Sequence, residues 1–330
     1  VQFFAHLPNA AFALGETTPA LVVIYYAALF GLTWVLAKPA ADRPDWWGRL
    51  AGQTLPVGGL AVLLAGTVMV WTRYSSLPTP GRLRVTVLDV GSDTNATGQG
   101  EAVLIQSPGG ATVLVDGGSG ALTLERGLGA ALPLFTRDLD LLVIAAPDDA
   151  HVGALPDALD LYHPKRVVLT RAPGRSAAYR TLRQKLDDQG IETADAGPLP
   201  SLDLGAGVNL SVVADGDTGS VLRLEWEKFS LVLAPGEDAA GETTLINDGV
   251  AQPASALLLP DSGSSASTSA DWIAALNPRL ALISVGANSL GNPAPQVTSL
   301  LSGRDVLRTD QHGAIRIETD GAQMCVTTTR

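Results

Sequence analysis

Apolar and polar positions alternate with a regular period along most of this chain, but not near its start. Residues 17–37, TTPALVVIYYAALFGLTWVLA, and 50–72, LAGQTLPVGGLAVLLAGTVMVWT, contain no charged side chain. Each run is long enough to cross a hydrocarbon core of about 30 Å at about 1.5 Å per helical residue, and each carries tyrosine or tryptophan near an end, where amphipathic rings favour the interface. The turn between them, KPAADRPDWWGR (38–49), is short and polar, so the runs predict a transmembrane hairpin with both outer ends on one side. Two buried core helices are the other reading, although uncharged stretches of this length are uncommon in soluble domains.

Beyond the Ser/Pro/Gly linker SSLPTPGR (75–82) the periodicity shortens and elements alternate. Period-two or short apolar runs predict strands over 82–90, 102–107, 111–117, 139–145, 165–170, 208–213, 220–226, 229–234, 256–259, 279–285, 305–309, 314–318 and 323–328. Helical spacing predicts helices over 122–135, 151–162, 175–190, 239–248, 269–277 and 295–301. The first strands come in hairpin order and later ones alternate with helices, which points to an α/β sandwich with mixed sheets rather than a simple doubly wound fold. The domain organisation expected is a membrane region over 1–74, the linker, and an α/β domain over 83–330.

Charge changes the picture in two ways. Lys38, Arg43 and Arg49 in the hairpin turn are balanced by Arg73, Arg82 and Arg84 after the second run, so the positive-inside rule does not choose an orientation. The four basic and three acidic residues before position 81 leave 18 basic against 30 acidic beyond it, a balance of −12. No basic patch of the kind that binds a phosphate backbone is visible in the α/β part, and Arg175, Arg180, Arg183 and Lys185 read as the solvated face of one helix. The single cysteine, Cys325, excludes an intrachain disulfide. The first residues, VQFFAHLPNAAFALG, lack the basic n-region and cleavage site of a signal peptide. They read as an interfacial segment, and the chain is expected to be the C-terminal piece of a larger membrane protein.

The candidate chemistry sits in IAAPDDAHVGAL (144–155), at the exit of an apolar strand. Two carboxylates and an imidazole within four positions are the residue types of a metal site. The same residues also suit a helix start, where Asp148 or Asp149 accepts from free backbone N–H groups and faces the positive end of the helix dipole.

In order along the chain stand VTVLDVG, GQGEAVLIQSPGGATVLVDGG, LLVIAAPDDAHVGAL, SVLRLEWEKFSLVLAPGED, ISVGANSLGNP and RTDQHGAIRI. This series resembles the metallo-β-lactamase-like domain at the C-terminus of ComEC-family competence proteins, and the two apolar runs resemble the end of the membrane region that precedes it. The resemblance covers essentially all 330 residues. It implies an αββα sandwich after a two-helix transmembrane hairpin, in a multi-pass protein of the bacterial inner membrane. It implies a channel for transforming DNA, imported as a single strand, and a domain on the outer face that hydrolyses phosphodiesters with a divalent metal. The partners implied are that DNA, other DNA-uptake proteins and membrane lipid.

Carried over residue by residue, the resemblance leaves the metal site incomplete. Ala146, Pro147, Asp148, Asp149, Ala150 and His151 stand where the family has His-Pro-Asp-Ala-Asp-His, so two ligand positions are alanine. Glu237, with Asp238 beside it, matches the aspartate of a Thr-Gly-Asp segment. Asp261, Ser262, Gly263 and Ser264 replace His-His-Gly-Ser, and Gly291, Asn292 and Pro293 replace Gly-His-Pro. Glu101 stands for the aspartate of Gly-Gln-Gly-Asp, after an insertion at 92–97, and Asp116 of VDGG is kept in a structural role. Asp148, His151, Glu237, Asp238 and Asp261 would form an oxygen-rich set with one imidazole, suiting Mg²⁺ or Mn²⁺ better than Zn²⁺. The expectation is no cofactor and a domain that is a weak nuclease or none, with Asp148 and His151 as vestiges of the catalytic loop. A membrane-anchored metal-dependent hydrolase of another phosphoester and a non-catalytic envelope binding module are the alternatives. His6, His163 and His312 read as surface or turn residues.

Overall fold

A computed structural model describes residues 81–91, 100–133, 136–195, 201–236 and 238–330. The runs 17–37 and 50–72 predicted as membrane spans lie outside the described residues. Among the described residues no helix is long and apolar enough to cross a membrane.

Two sheets carry the fold. The first contains β1 (Leu83–Val87), β2 (Val103–Gln106), β3 (Thr112–Val115), β5 (Leu141–Ile144), β7 (Arg166–Leu169), β8 (Glu192–Asp195), β16 (Ile315–Thr319) and β17 (Met324–Thr328), in the order β17-β16-β1-β2-β3-β5-β7-β8. It is antiparallel from β17 to β3 and parallel from β3 to β8. The second contains β9 (Leu202–Asp203), β10 (Asn209–Asp215), β11 (Ser220–Trp226), β12 (Phe229–Leu233), β13 (Ala256–Leu258), β14 (Leu280–Ile283) and β15 (Asp305–Arg308), in the order β15-β14-β13-β12-β11-β10-β9. Here the parallel part runs from β15 to β12 and the rest is antiparallel. A short parallel pair, β4 (Asp138–Leu139) and β6 (His163–Pro164), lies outside both.

Strand periodicity decides how these layers stack. Leu83, Val85, Val103, Ile105, Val113 and Val143 of the first sheet meet Leu210, Leu222, Leu224, Leu231, Leu258 and Leu282 of the second in one buried cluster. Because successive side chains point to opposite faces, the residues between them are left for the outer faces. On the second sheet Val232, Leu257, Ala281 and Ile283 pack with Leu245 of α5 (Ala239–Asn247), Trp272 and Ile273 of α6 (Ala270–Leu276) and Val297 of α7 (Pro295–Leu300). On the first, Leu104, Leu114, Leu142 and Ile144 are buried. So are Leu124 and Leu128 of α1 (Ala121–Ala131), Leu155 of α3 (Leu155–Ala158), and Leu182 and Leu186 of α4 (Ala177–Asp188). The layers are helix, sheet, sheet, helix, the mixed α/β sandwich that the sequence pattern predicts.

Two local differences have physical causes. The helix predicted over 151–162 is two single turns, α2 (Asp149–Val152) and α3, because Pro156 can stand only in the first turn of a helix. Gly153 joins them where there is no room for a side chain: a Cβ there would lie 2.5 Å from Asp149 O and 3.1 Å from Ser119 Cα. Strands β8 and β9 are absent from the predicted set, since ETAD and LD are polar edge strands without an apolar run. His163 lies in β6, and His312 ends the single turn α8 (Thr309–His312).

Candidate functional site

The loop that enters β2 and the loops that leave β3, β5, β12, β13 and β14 gather at one end of the sandwich. Ser220 N donates to Ala145 O at 2.7 Å, tying the two sheets together there, and Ser284 Oγ donates to Gly100 O at 2.6 Å. The exit of β5 is held from both sides. Glu101 N donates to Ala150 O at 3.4 Å and Gly117 N to His151 O at 2.7 Å.

Asp148 stands in extended backbone at the start of α2 and caps it, accepting from Ala150 N at 2.8 Å. His151, one turn on, is buried, and its Nδ1 lies 2.9 Å from both Asp148 oxygens. A carboxylate can only accept, so Nδ1 carries the proton of this bond. Burial works against charge on the ring, but Asp148, then Asp116 and Glu101, outweigh it and raise the His151 pKa to about 10. The imidazolium in turn holds the Asp148 carboxyl below its ordinary value, against the opposing effect of burial.

Two further carboxyls surround this ring. Asp116, fully buried with φ 54°, accepts from Ala145 N at 2.8 Å and Ala146 N at 3.4 Å. Glu101 is 4% exposed. Asp116 Oδ2 and Glu101 Oε1 have no hydrogen-bond partner among the described residues. Burial pushes Glu101 up to about 8 and Asp116 up to about 7, with His151 opposing both changes. The arrangement is an internal one: a cationic imidazole bound to a half-exposed Asp148, backed by two carboxyls that burial drives toward their neutral form.

Glu101, His151, Asp261 and Ser284 line a cavity of about 10 Å³, room for about one water. Asp261 reaches it from the turn after β13, with φ 45°, and Ser262 and Gly263 also have positive φ. Its Oδ2 accepts from Ser267 Oγ, and its backbone oxygen from Asn292 Nδ2 at 3.4 Å. Asp238 is used differently: it caps α5, accepting from Ala240 N at 3.0 Å and Gly241 N at 2.9 Å. Glu237 lies outside the described residues.

These residues do not fit a metal ion. The Asp148 oxygens are engaged by the ring and the helix cap, and of the motif's imidazole only Nε2 is left to ligate. Space is lacking too, because Ala146 is fully buried under the opposite loops. A Cβ on Gly236 would lie 3.1 Å from Ala146 Cβ and 2.9 Å from Thr218 O. Among the described residues, no three His, Cys, Asp or Glu side chains are grouped to hold a metal.

No family model matches the chain. It is 25% identical over 324 residues to ComE operon protein 3 of Bacillus subtilis (strain 168), across 90% of this chain and 39% of that protein. The chain is similar to the ComEC family. It spans about two-fifths of the length of that relative. Among solved structures it is similar to the metallo-beta-lactamase fold protein YhfI of Bacillus subtilis, at 16% identity and TM-score 0.48, over 70% of this chain and 98% of that one. A second is Tm1679, a metal-dependent hydrolase of the beta-lactamase superfamily, at 13% identity and TM-score 0.47, again over 70% and 98%.

Sequence reasoning pointed to Asp148, His151, Asp116, Glu101 and Asp261, and these five meet at one end of the sandwich. It did not foresee that Glu101 is buried, nor the part of Ser284. Serine at 284 follows the apolar run of β14 in ISVG, a placement that resembles the other strand exits and was the available signal.

Proposed function

We propose that this chain is the C-terminal part of a ComEC-type membrane protein for DNA uptake, and that its αββα domain works there without metal-dependent hydrolysis. In this reading the runs 17–37 and 50–72 span the inner membrane and the domain stands on its outer side. Transforming DNA passes through the parent channel, beside membrane lipid and other uptake proteins, and the domain contributes a packed surface. Similarity over 90% of the chain supports the setting. The observation that carries the non-catalytic part is Ala146, which stands fully buried at a ligand position of the motif, with no donor atom and with the opposite loop so close that a Cβ on Gly236 would lie 3.1 Å from its methyl group.

The test is metal analysis of the purified chain together with a nuclease assay on single- and double-stranded DNA with Mg²⁺, Mn²⁺ or Zn²⁺ supplied. The expected result is substoichiometric metal and no cleavage above a buffer control. Stoichiometric metal with cleavage that His151→Ala abolishes would overturn the reading.

A further inference from the structure

The sandwich has four outermost strands, and three are guarded against pairing with a further strand. β8 carries Glu192 and Asp195, β9 has two residues including Asp203, and β15 carries Asp305 and Arg308, whose guanidinium holds Asp310 at 2.6 Å. The fourth, β17, reads MCVTT, with neither charge nor proline, and among the described residues pairs with β16 on one side only. Its residues alternate: Met324 and Val326 are half-buried against the core between the sheets, while Cys325 and Thr327 are exposed. This is the pattern of a strand prepared for a neighbour on its open side.

That open side borders a groove of about 960 Å³ between β17 and β15, at the upper end of the range for ligand clefts. Leu307, half-buried on β15, faces the same space as Met324 and Val326. Lys228 and Arg279 also line it and flank one residue: Ser255 Oγ donates to Lys228 O at 3.5 Å, and Arg279 N donates to Ser255 O at 3.2 Å. Among the described residues neither cation has an ion pair, and Asp305 is the one carboxylate in the lining. On so acidic a domain, a cationic end to this mixed groove selects an anionic group.

We propose that this groove takes an extended segment of a partner polypeptide, added to β17 as a further strand, with apolar side chains at alternate positions and a carboxylate at the Lys228–Arg279 end. Main-chain hydrogen bonds along the free edge would supply affinity, and the groove the selection of alternate side chains.

The test is hydrogen exchange on the full chain with a synthetic probe, an acetylated heptapeptide that alternates threonine and valine and ends in glutamate. Exchange over Met324–Thr328 should slow about tenfold with the peptide at about nine times its Kd. Val326→Lys, which points a charge into the groove, and the double variant Lys228→Gln with Arg279→Gln should each weaken that protection. The double variant guards against misfolding of the first, since both cations lie on the surface of the groove. No slowing at millimolar peptide, or equal binding by the double variant, overturns the proposal. Protection that appears without peptide and rises with chain concentration also overturns it, because the occupant is then a second copy.

Discussion

The two halves of the sandwich repeat one device and use it differently. β5 leaves through Ala146-Pro147-Asp148-Asp149-Ala150, and β12 through Ala234-Pro235-Gly236-Glu237-Asp238-Ala239. Asp148 and Asp238 both stand in extended backbone, with ψ 170° and 171°, and both cap the helix that follows. Three residues after Asp148 comes His151, while three after Asp238 comes Gly241. The carboxylate does the same local work in both places. The imidazole makes one loop a charged cluster and leaves the other a plain helix start. An aspartate after a strand is therefore weak evidence of chemistry, and its partner one turn along is the stronger evidence.

Removing that imidazole should have the largest effect. His151→Ala leaves Asp148, Glu101 and Asp116 without their cation and should destabilise the domain by about 3 kcal/mol, the low end for a broken buried pair because Asp148 is half in water. Thermal unfolding of the full chain reads this, with unchanged metal content. An unshifted Tm would show that the cluster contributes nothing to the fold.

Next comes pH. Glu101 and His151 both have folded pKa values above their ordinary ones, about 8 against 4.5 and about 10 against 6.5. The native state then holds more protons than the unfolded one, so stability falls as pH rises. For Glu101 the loss begins near its unfolded value and is complete above about 8. For His151 the contribution is whole below about 6.5 and fades as pH passes about 10. Between pH 5 and 10 the total should drop by a few kcal/mol, because each pH unit separating a folded from an unfolded pKa is worth about 1.4 kcal/mol and the charges of the cluster partly offset one another. Glu101→Gln, a neutral mimic of the buried acid, should flatten the lower part of the curve. Stability that rises across this range would contradict the assignment.

Restoring the motif at its first position should do harm. Ala146→His puts a ring at a fully buried methyl group beside a loop that has little room even for a Cβ on Gly236, and overpacking of this kind costs about 1–3 kcal/mol. Denaturation of the variant measures it. A histidine accepted at no cost would mean that the loops part easily, and that the site is only shut rather than filled.

The smallest effect separates the two caps. Asparagine caps a helix about as well as aspartate, so Asp238→Asn should leave Tm within the error of the measurement. Asp148→Asn keeps the cap but removes the charge facing His151, and NMR titration should show the pKa of that histidine falling. Equal behaviour at both positions would erase the distinction drawn between the loops.

Much of the architecture was legible in the chain because strand periodicity and helix spacing are local properties. Thirteen predicted strands fall on observed ones, and only short polar edges such as Glu192–Asp195 escaped. The site was legible as a list of residues, not as an arrangement. Asp148 and His151 are three positions apart on one helical turn, so their meeting follows from spacing alone. Glu101 comes from the loop into β2 and Asp116 and Asp261 from two other strand exits, and nothing local says that they face the same ring.

What the sequence determined by itself is the pattern of layers, the capping aspartates and the alanines at 146 and 150, since each is a matter of residue type and near neighbours. Only the tertiary structure decided what surrounds those alanines and the carboxyls near them. Burial beside His151 raised the pKa values of Glu101 and Asp116, and the loop of Gly236 packed against Ala146. Both effects depend on desolvation and close packing between segments far apart in the chain, and these arise only when the two sheets come together.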